Sequence, residues 1–363
     1  VQIVWQRKLG GSGLGGLAAT TRYVVFGDRD LDDFHDVFRC LDAIDGAPVW
    51  TVMHPAIGKL DYGNTPRATP LIAGDHVYLL GAFGDLHCVK LATGEAVWSR
   101  NLRLEFGVTA KPIWGTCSSP LLADGKLIVN PGGEHASLVA LDAKSGEVVW
   151  QTPGGEAGFG SLIVGNFGGV RQIVGHDRTT LGGWDITSGK RLWTLTPPVE
   201  GDFNVPTPVQ VGDRLLVGTE NNGLRLYAFD PMGRILPRPV AVNDDLAPDM
   251  STPVVVDARV FCVWEDLFCL DLKTGLRTLW TGKDPAFGTY AAVIGGPNRV
   301  LVIGKSGQLV LAHARADQFE VVSRLRVFDD GPAELYSHPA LIGDRLYIRG
   351  ATSVVCVDLS GGR

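Results

Sequence analysis

The sequence predicts an all-β fold: an eight-bladed β-propeller of four-stranded antiparallel blades, closed by the N-terminal strand. Three observations predict it. A phrase of the form apolar–Leu–Asp–x–x–Thr/Ser–Gly–x–x–x–Trp recurs at roughly 45 residues, a period that suits one four-stranded blade. Gly and Pro are abundant, 47 and 21 of 363 residues, and punctuate the chain into short strands. The last copy of the phrase stops before its Trp, while Val1 to Trp5 is an apolar strand with a Trp and no turn ahead of it.

The copies run in order along the chain. Asp42, Gly46 and Trp50 mark the first, Lys90, Gly94 and Trp98 the second, and Asp142, Gly146 and Trp150 the third. Asp185, Gly189 and Trp193 follow, then Asp230 and Gly233 with Leu236 where Trp is expected. Asp271, Gly275 and Trp280 make the sixth; the seventh is degenerate around Leu311 to Val322, and the eighth begins at Asp358. The Asp carboxylate is expected to accept backbone N–H groups of the turn, and the Gly to supply positive φ. The Trp opens the outer strand and covers the neighbouring blade. An N-terminal strand that completes the last blade removes an exposed sheet edge. The chain therefore reads as one domain, 1–363, with residues 1–8 completing the last blade.

First strands repeat too. Pro70, Pro120, Pro208, Pro253 and Pro339 each precede a short apolar run, and a Pro repeated inside a strand is tolerated only on an edge, here the innermost strand. Cys40, Cys88, Cys269 and Cys356 stand two residues before the Asp position, where other blades have Ala or Gly, so they read as small packed thiols. The run Gly10 to Gly16 opens no helix and reads as a flexible link into blade 1.

These phrases, together with Arg67-Ala68-Thr69-Pro70 and Pro131-Gly132-Gly133, resemble the repeat of the pyrroloquinoline-quinone-type, quinoprotein alcohol dehydrogenase-like propellers, over nearly the whole chain. That family includes large quinone-dependent dehydrogenases, an outer-membrane assembly lipoprotein without cofactor, and compact exported bacterial propellers. The resemblance implies a periplasmic or otherwise exported protein closest to the latter two kinds. Quinone-dependent members carry two adjacent cysteines, and no two of the six here are adjacent. No quinone is expected, and fold alone does not assign function.

Composition narrows the partners. A hydrophobic content of 45% with 20% charge suits a globular chain, and no apolar run reaches the roughly 18 residues of a membrane span. A net charge of −6 argues against nucleic acid. A monomer is expected.

Loops before the first strands and between second and third strands share one end of each blade. They carry the candidate ligand-binding residues Arg67, Trp114, Asn204, Asp249, Glu334, Tyr336, His338, His135 and His176. The acidic loop Asp28, Asp30, Asp32 is the candidate for a divalent cation, although Asp33 replaces the turn Gly of a calcium loop and Arg39 its closing Glu. The leading expectation is a binding or scaffold module for a protein partner or carbohydrate-like ligand. The alternative is an oxidoreductase or polysaccharide-acting enzyme with an acid–base or metal site at the same loops. A deep polar pocket with convergent acid–base groups would favour the enzyme, an exposed apolar rim the scaffold.

Overall fold

A computed structural model describes residues 2–11, 13–328 and 335–360. It contains eight sheets, each of four antiparallel strands, the blades of an eight-bladed β-propeller. Blades 1 to 7 occupy 17–55, 71–101, 121–152, 163–195, 209–243, 254–282 and 291–326. Blade 8 combines 340–358 with the N-terminal strand Gln2–Lys8, which pairs antiparallel with Ser353–Asp358. The only helix among the described residues is the single turn Leu102–Glu105.

Two compact units divide the chain, each with four blades. Residues 1–156 and 332–363 make the first, with blades 8, 1, 2 and 3; residues 157–331 make the second, with blades 4 to 7. Within each unit the apolar core lies between adjacent blades. Blade 8 meets blade 1 through Trp5, Phe26, Tyr347 and Cys356, and blade 6 meets blade 7 through Phe261, Trp280, Val302 and Val310.

The repeat phrase explains this packing. The indole N–H of Trp5 donates to Ala43 O of the next blade, Trp50 to Leu91 O, Trp98 to Ala143 O and Trp280 to Ala316 O. Trp193 donates instead to Gln172 Oε1 in its own blade, and Gln172 Nε2 passes the link on to Gly233 O. A bulge ahead of the Trp sets it opposite the small residue: Trp50 opposes Cys40, Trp98 Cys88, Trp150 Ala140 and Trp193 Gly183. The four cysteines at that position are free and fully buried.

The Asp turns form as expected. Asp42 Oδ1 accepts Ile44 N–H, and Asp142 Oδ1 accepts those of Lys144 and Ser145. The Gly has a second reason beyond its positive φ of 74° at Gly146. A Cβ there would meet the Trp98 ring at 2.6 Å, and the same holds for Gly46 against Trp5 at 2.7 Å.

Three expectations need correction. The repeated Pro does not lie inside a strand: Pro70, Pro120, Pro208, Pro253 and Pro339 each stand immediately before one, where no ladder hydrogen is needed. The outer strand of blade 5 is Ala241–Asn243 and does not start at Leu236, because Pro237 and Pro239 break the ladder before it. The Gly-rich link is held closely. Gly10 and Gly11 N–H donate to the Asp28 carboxylate, and a Cβ at Gly13 would collide with the Arg349 guanidinium. Close approach, more than flexibility, is what these glycines provide.

Candidate functional site

In the first unit, Arg67 and the acidic loop lie on the segments of blades 1 and 2. Arg67 lies in the segment that leads into blade 2 and turns its guanidinium back on its own loop. It donates to Asp61 O at 2.7 Å, to Gly63 O at 2.6 Å and to Thr65 O. Three carbonyls around one cation fix the bend of 61–65 and hold Tyr62 at its tip with a φ of 63°. Burial lowers the Arg67 pKa, with the charges of Cys117 and Asp36 opposing.

The acidic loop is tied to this bend. Asn64 Nδ2 donates to Asp33 Oδ2 at 2.7 Å and to Gly58 O at 3.1 Å. Arg29 donates to Asp33, to Asp36 Oδ1 and to Ala56 O. The result is a braced surface that exposes four large apolar side chains: Leu31 (87%), Phe34 (53%), Ile57 (74%) and Tyr62 (70%). Sequence reasoning missed this rim. Its available signal was two apolar residues, Leu31 and Phe34, set inside an otherwise polar loop.

Asp28, Asp30 and Asp32 are not brought together as a cation site. Asp28 is fully buried, with Arg39 Nε at 2.7 Å and Arg349 Nη2 at 3.0 Å from its carboxylate, so two guanidiniums already neutralise it. Asp30 accepts Phe34 N, His35 N and His35 Nδ1 within its own loop, while Asp32 is exposed. Burial tends to raise the Asp30 pKa, but the His35 and Phe34 hydrogen bonds prevail and hold it down at about 2. Among the described residues, no group of three His, Cys, Asp or Glu side chains could hold a metal ion.

The remaining candidates of this unit are scattered. Trp114 is half-buried, its carbonyl 3.5 Å from Cys117 Sγ, and burial pushes that thiol up to about 12 despite Arg67. His135 is exposed and Tyr336 half-buried. His338 keeps accessible surface, yet the protein packed about its imidazole lowers its pKa, and its carbonyl accepts Leu17 N–H. Glu334 lies outside the described residues.

In the second unit, Asn204 lines a cleft between blades 4 and 5, and His176 lines a smaller chamber that adjoins it. The cleft has a volume of about 360 Å³ and is walled by Phe159, Phe203 and Pro197, with Thr179, Thr180 and Glu200 at its edges. Arg178 lies over the Phe159 ring at 5.9 Å. The lip is pinned: Asn204 Nδ2 donates to Arg178 O, Phe203 N to Glu220 Oε1, and Asn222 Nδ2 to Asp202 Oδ2 at 2.5 Å. Beneath it a chamber of about 30 Å³ reaches His176 and Thr219 and shares Thr179, Thr180, Pro197 and Asn204 with the cleft. Burial lowers the His176 pKa to about 4, against the charges of Asp177 and Asp202. Asp249 stands apart from this cleft, and burial raises its pKa.

Two carboxylates around the cleft hold structural posts, and Glu200 lines its edge. Asp177 binds Arg191 at 2.7 Å and Thr180, and Asp202 binds Asn221 N and Asn222.

Comparison with known proteins places these features in a lineage. A family model described as outer membrane protein assembly factor BamB matches residues 33–282. BamB of Shewanella oneidensis is 21% identical over 349 residues, covering 80% of this chain and 84% of that protein. The quinoprotein alcohol dehydrogenase PedH of Pseudomonas putida is 29% identical over 166 residues, 42% of this chain. The aligned part spans only 26% of PedH. Among solved structures, BamB from Moraxella catarrhalis superimposes with a TM-score of 0.69 at 16% identity, over 100% of this chain and 98% of that one. Quinohemoprotein alcohol dehydrogenase from Comamonas testosteroni gives 0.67 at 13%, over 100% of this chain and 77% of that one. At such identities the structural likeness speaks for the fold alone.

Proposed function

Because the chain belongs to the family of the outer membrane protein assembly factor BamB, we propose that it is an exported scaffold propeller that docks a protein partner of outer-membrane assembly. The observation that carries this reading is the braced apolar rim of Leu31, Phe34, Ile57 and Tyr62. Loops that are already braced need no ordering when covered, so the cost of docking is confined to the side chains and more of their burial goes into affinity. Arg67, Asn64 and Arg29 position the rim and need not touch the partner. No quinone or metal enters the proposal, and the chain works in it as a monomer.

The test is capture by the immobilised full chain from detergent-solubilised outer-membrane assembly proteins. The unsubstituted chain is expected to retain a defined partner. A variant carrying Leu31→Asp, Ile57→Asp and Tyr62→Asp should retain at least tenfold less while melting normally. Equal retention by a folded variant would place docking elsewhere.

A second reading attaches to the second unit, where the cleft under Phe203 has the volume and aromatic wall of a small-ligand site. Of the predicted residues, Asn204 lines this cleft and His176 lines the adjoining chamber. Trp114, Asp249, Glu334, Tyr336, His338 and His135 remain candidates for contacts to either kind of partner.

A further inference from the structure

The chamber under the cleft of the second unit holds two side chains whose polar atoms lack a counterpart. His176 Nε2 and Thr219 Oγ1 are both buried without a hydrogen-bond partner, and both residues are only 5% exposed. Buried polar atoms are normally satisfied, so an unpaired couple facing a shared space marks a place for a third group. The space is about 30 Å³, enough for about one hydroxyl-sized group.

Chemistry restricts that group. An anion would enter beside Asp177 and Asp202, whose charges bear on His176, and the arginine that lines the chamber, Arg225, is already paired with Asp244. Any ion would lose its hydration in so small a volume. A hydroxyl both donates and accepts, so it satisfies Thr219 and either tautomer of His176. Above the chamber, the cleft offers the rings of Phe159 and Phe203 and the face of Pro197, edged by Thr179 and Thr196, while the Thr180 hydroxyl is held by Asp177 and Arg191. An apolar wall with hydroxyl edges matches a pyranose, which presents C–H faces and a polar perimeter.

From this geometry we propose that the cleft between blades 4 and 5 binds an uncharged hexose-type saccharide, whose hydroxymethyl arm enters the chamber between His176 and Thr219. The proposal deepens the small-ligand reading of this cleft. It shares no residue with the docking rim, so either can fail without the other.

Calorimetric titration of the full chain tests it, with methyl β-glucopyranoside and methyl β-galactopyranoside as probes. Their deoxy counterparts, methyl β-quinovoside and methyl β-fucoside, lack only the hydroxymethyl oxygen. At least one hydroxylated glycoside is expected to bind, and its deoxy counterpart at least tenfold more weakly. Thr219→Val should reproduce that loss for the hydroxylated sugar and leave the deoxy sugar unchanged. Phe203→Ala, at an exposed position, should weaken both at least fivefold. Absence of binding by both hydroxylated glycosides overturns the proposal. So does equal affinity for a hydroxylated sugar and its deoxy counterpart, which needs no variant and would leave the chamber as a site for a water molecule only.

Discussion

At the scale of single residues, the repeat Gly and the buried imidazoles carry the sharpest consequences. Gly146 and Gly125 lie in the same blade with the same φ of 74°, but a Cβ at Gly146 would strike Trp98 at 2.6 Å while one at Gly125 meets nothing within 4 Å. Backbone strain is thus common to both sites and steric conflict belongs to one. Gly125→Ala should cost about 1 kcal/mol and Gly146→Ala about 2 kcal/mol or more, as read from urea midpoints. Similar losses would mean that the Trp98 ring yields freely. The imidazoles predict a pH dependence. Burial lowers the pKa of His176, and likewise of His54, from 6.5 to about 4, with Asp177 and Asp202 opposing at His176 and the charges of His87, Arg29 and His35 assisting at His54. The unfolded chain takes up these protons between about pH 6.5 and 4 while the folded chain does not, so stability falls as the solution is acidified through that window. Each His contributes a slope of at most about 1.4 kcal/mol per pH unit. Asp36, which burial raises to about 6, acts in the opposite direction between about pH 6 and 4, and offsets one of the two imidazoles. Urea midpoints from pH 7 to 4.5 should therefore fall in the unsubstituted chain and fall less steeply in His54→Gln. A flat profile would refute the neutral buried imidazoles.

Strand by strand, the phrase works as a volume pair. Where Trp opens the outer strand the facing residue is Cys, Ala or Gly, and blade 7 inverts the pair by setting Ser323 opposite Leu311. The seventh copy looks degenerate because a pattern search follows residue identity, whereas the fold keeps the bulge and the facing register while the pair changes to a half-buried Leu311 and an exposed Ser323. Ser323→Trp alone should crowd the half-buried Leu311, and Leu311→Ala alone should lose its partial burial. Together they restore the arrangement of the other blades. A double-mutant cycle followed by chemical denaturation should give a favourable coupling of about 1–3 kcal/mol. Additive losses would show that blade 7 has repacked around its own residues. The same logic explains which strand ends were legible. Asp–Gly turns are local and were read correctly, whereas blade 5 needed Pro237 and Pro239 to be weighed over the expected position of Leu236.

On the scale of the whole molecule, the sequence revealed the eight blades and their N-terminal completion because a repeat is periodic in one dimension. It did not reveal the sites, since a rim or chamber is assembled from loops far apart in sequence. Arg67 is legible as a ligand candidate, but that its three carbonyl partners lie in its own loop beside the exposed Tyr62 is not. His176 is legible as a polar loop residue, but its counterpart Thr219 sits on another blade and carries no motif. Closure is the property in which sequence and structure agree most fully. Gln2–Lys8 covers the edge of Ser353–Asp358, Gln6 Nε2 reaches Ser353 Oγ at 3.0 Å, and Trp5 ties blade 8 to Ala43 of blade 1. Trp5→Ala keeps the backbone ladder and should cost about 3–5 kcal/mol as a buried aromatic truncation. Deleting residues 1–8 removes the indole, the ladder and the Arg7 bonds to Asp45 O and Gly46 O together, and leaves an open strand edge. The truncated chain should therefore melt well below Trp5→Ala and lose hydrogen-exchange protection first in Ser353–Asp358. If it melts with the full chain, the last blade stands without its fourth strand, and the N-terminal strand is an accessory to the fold.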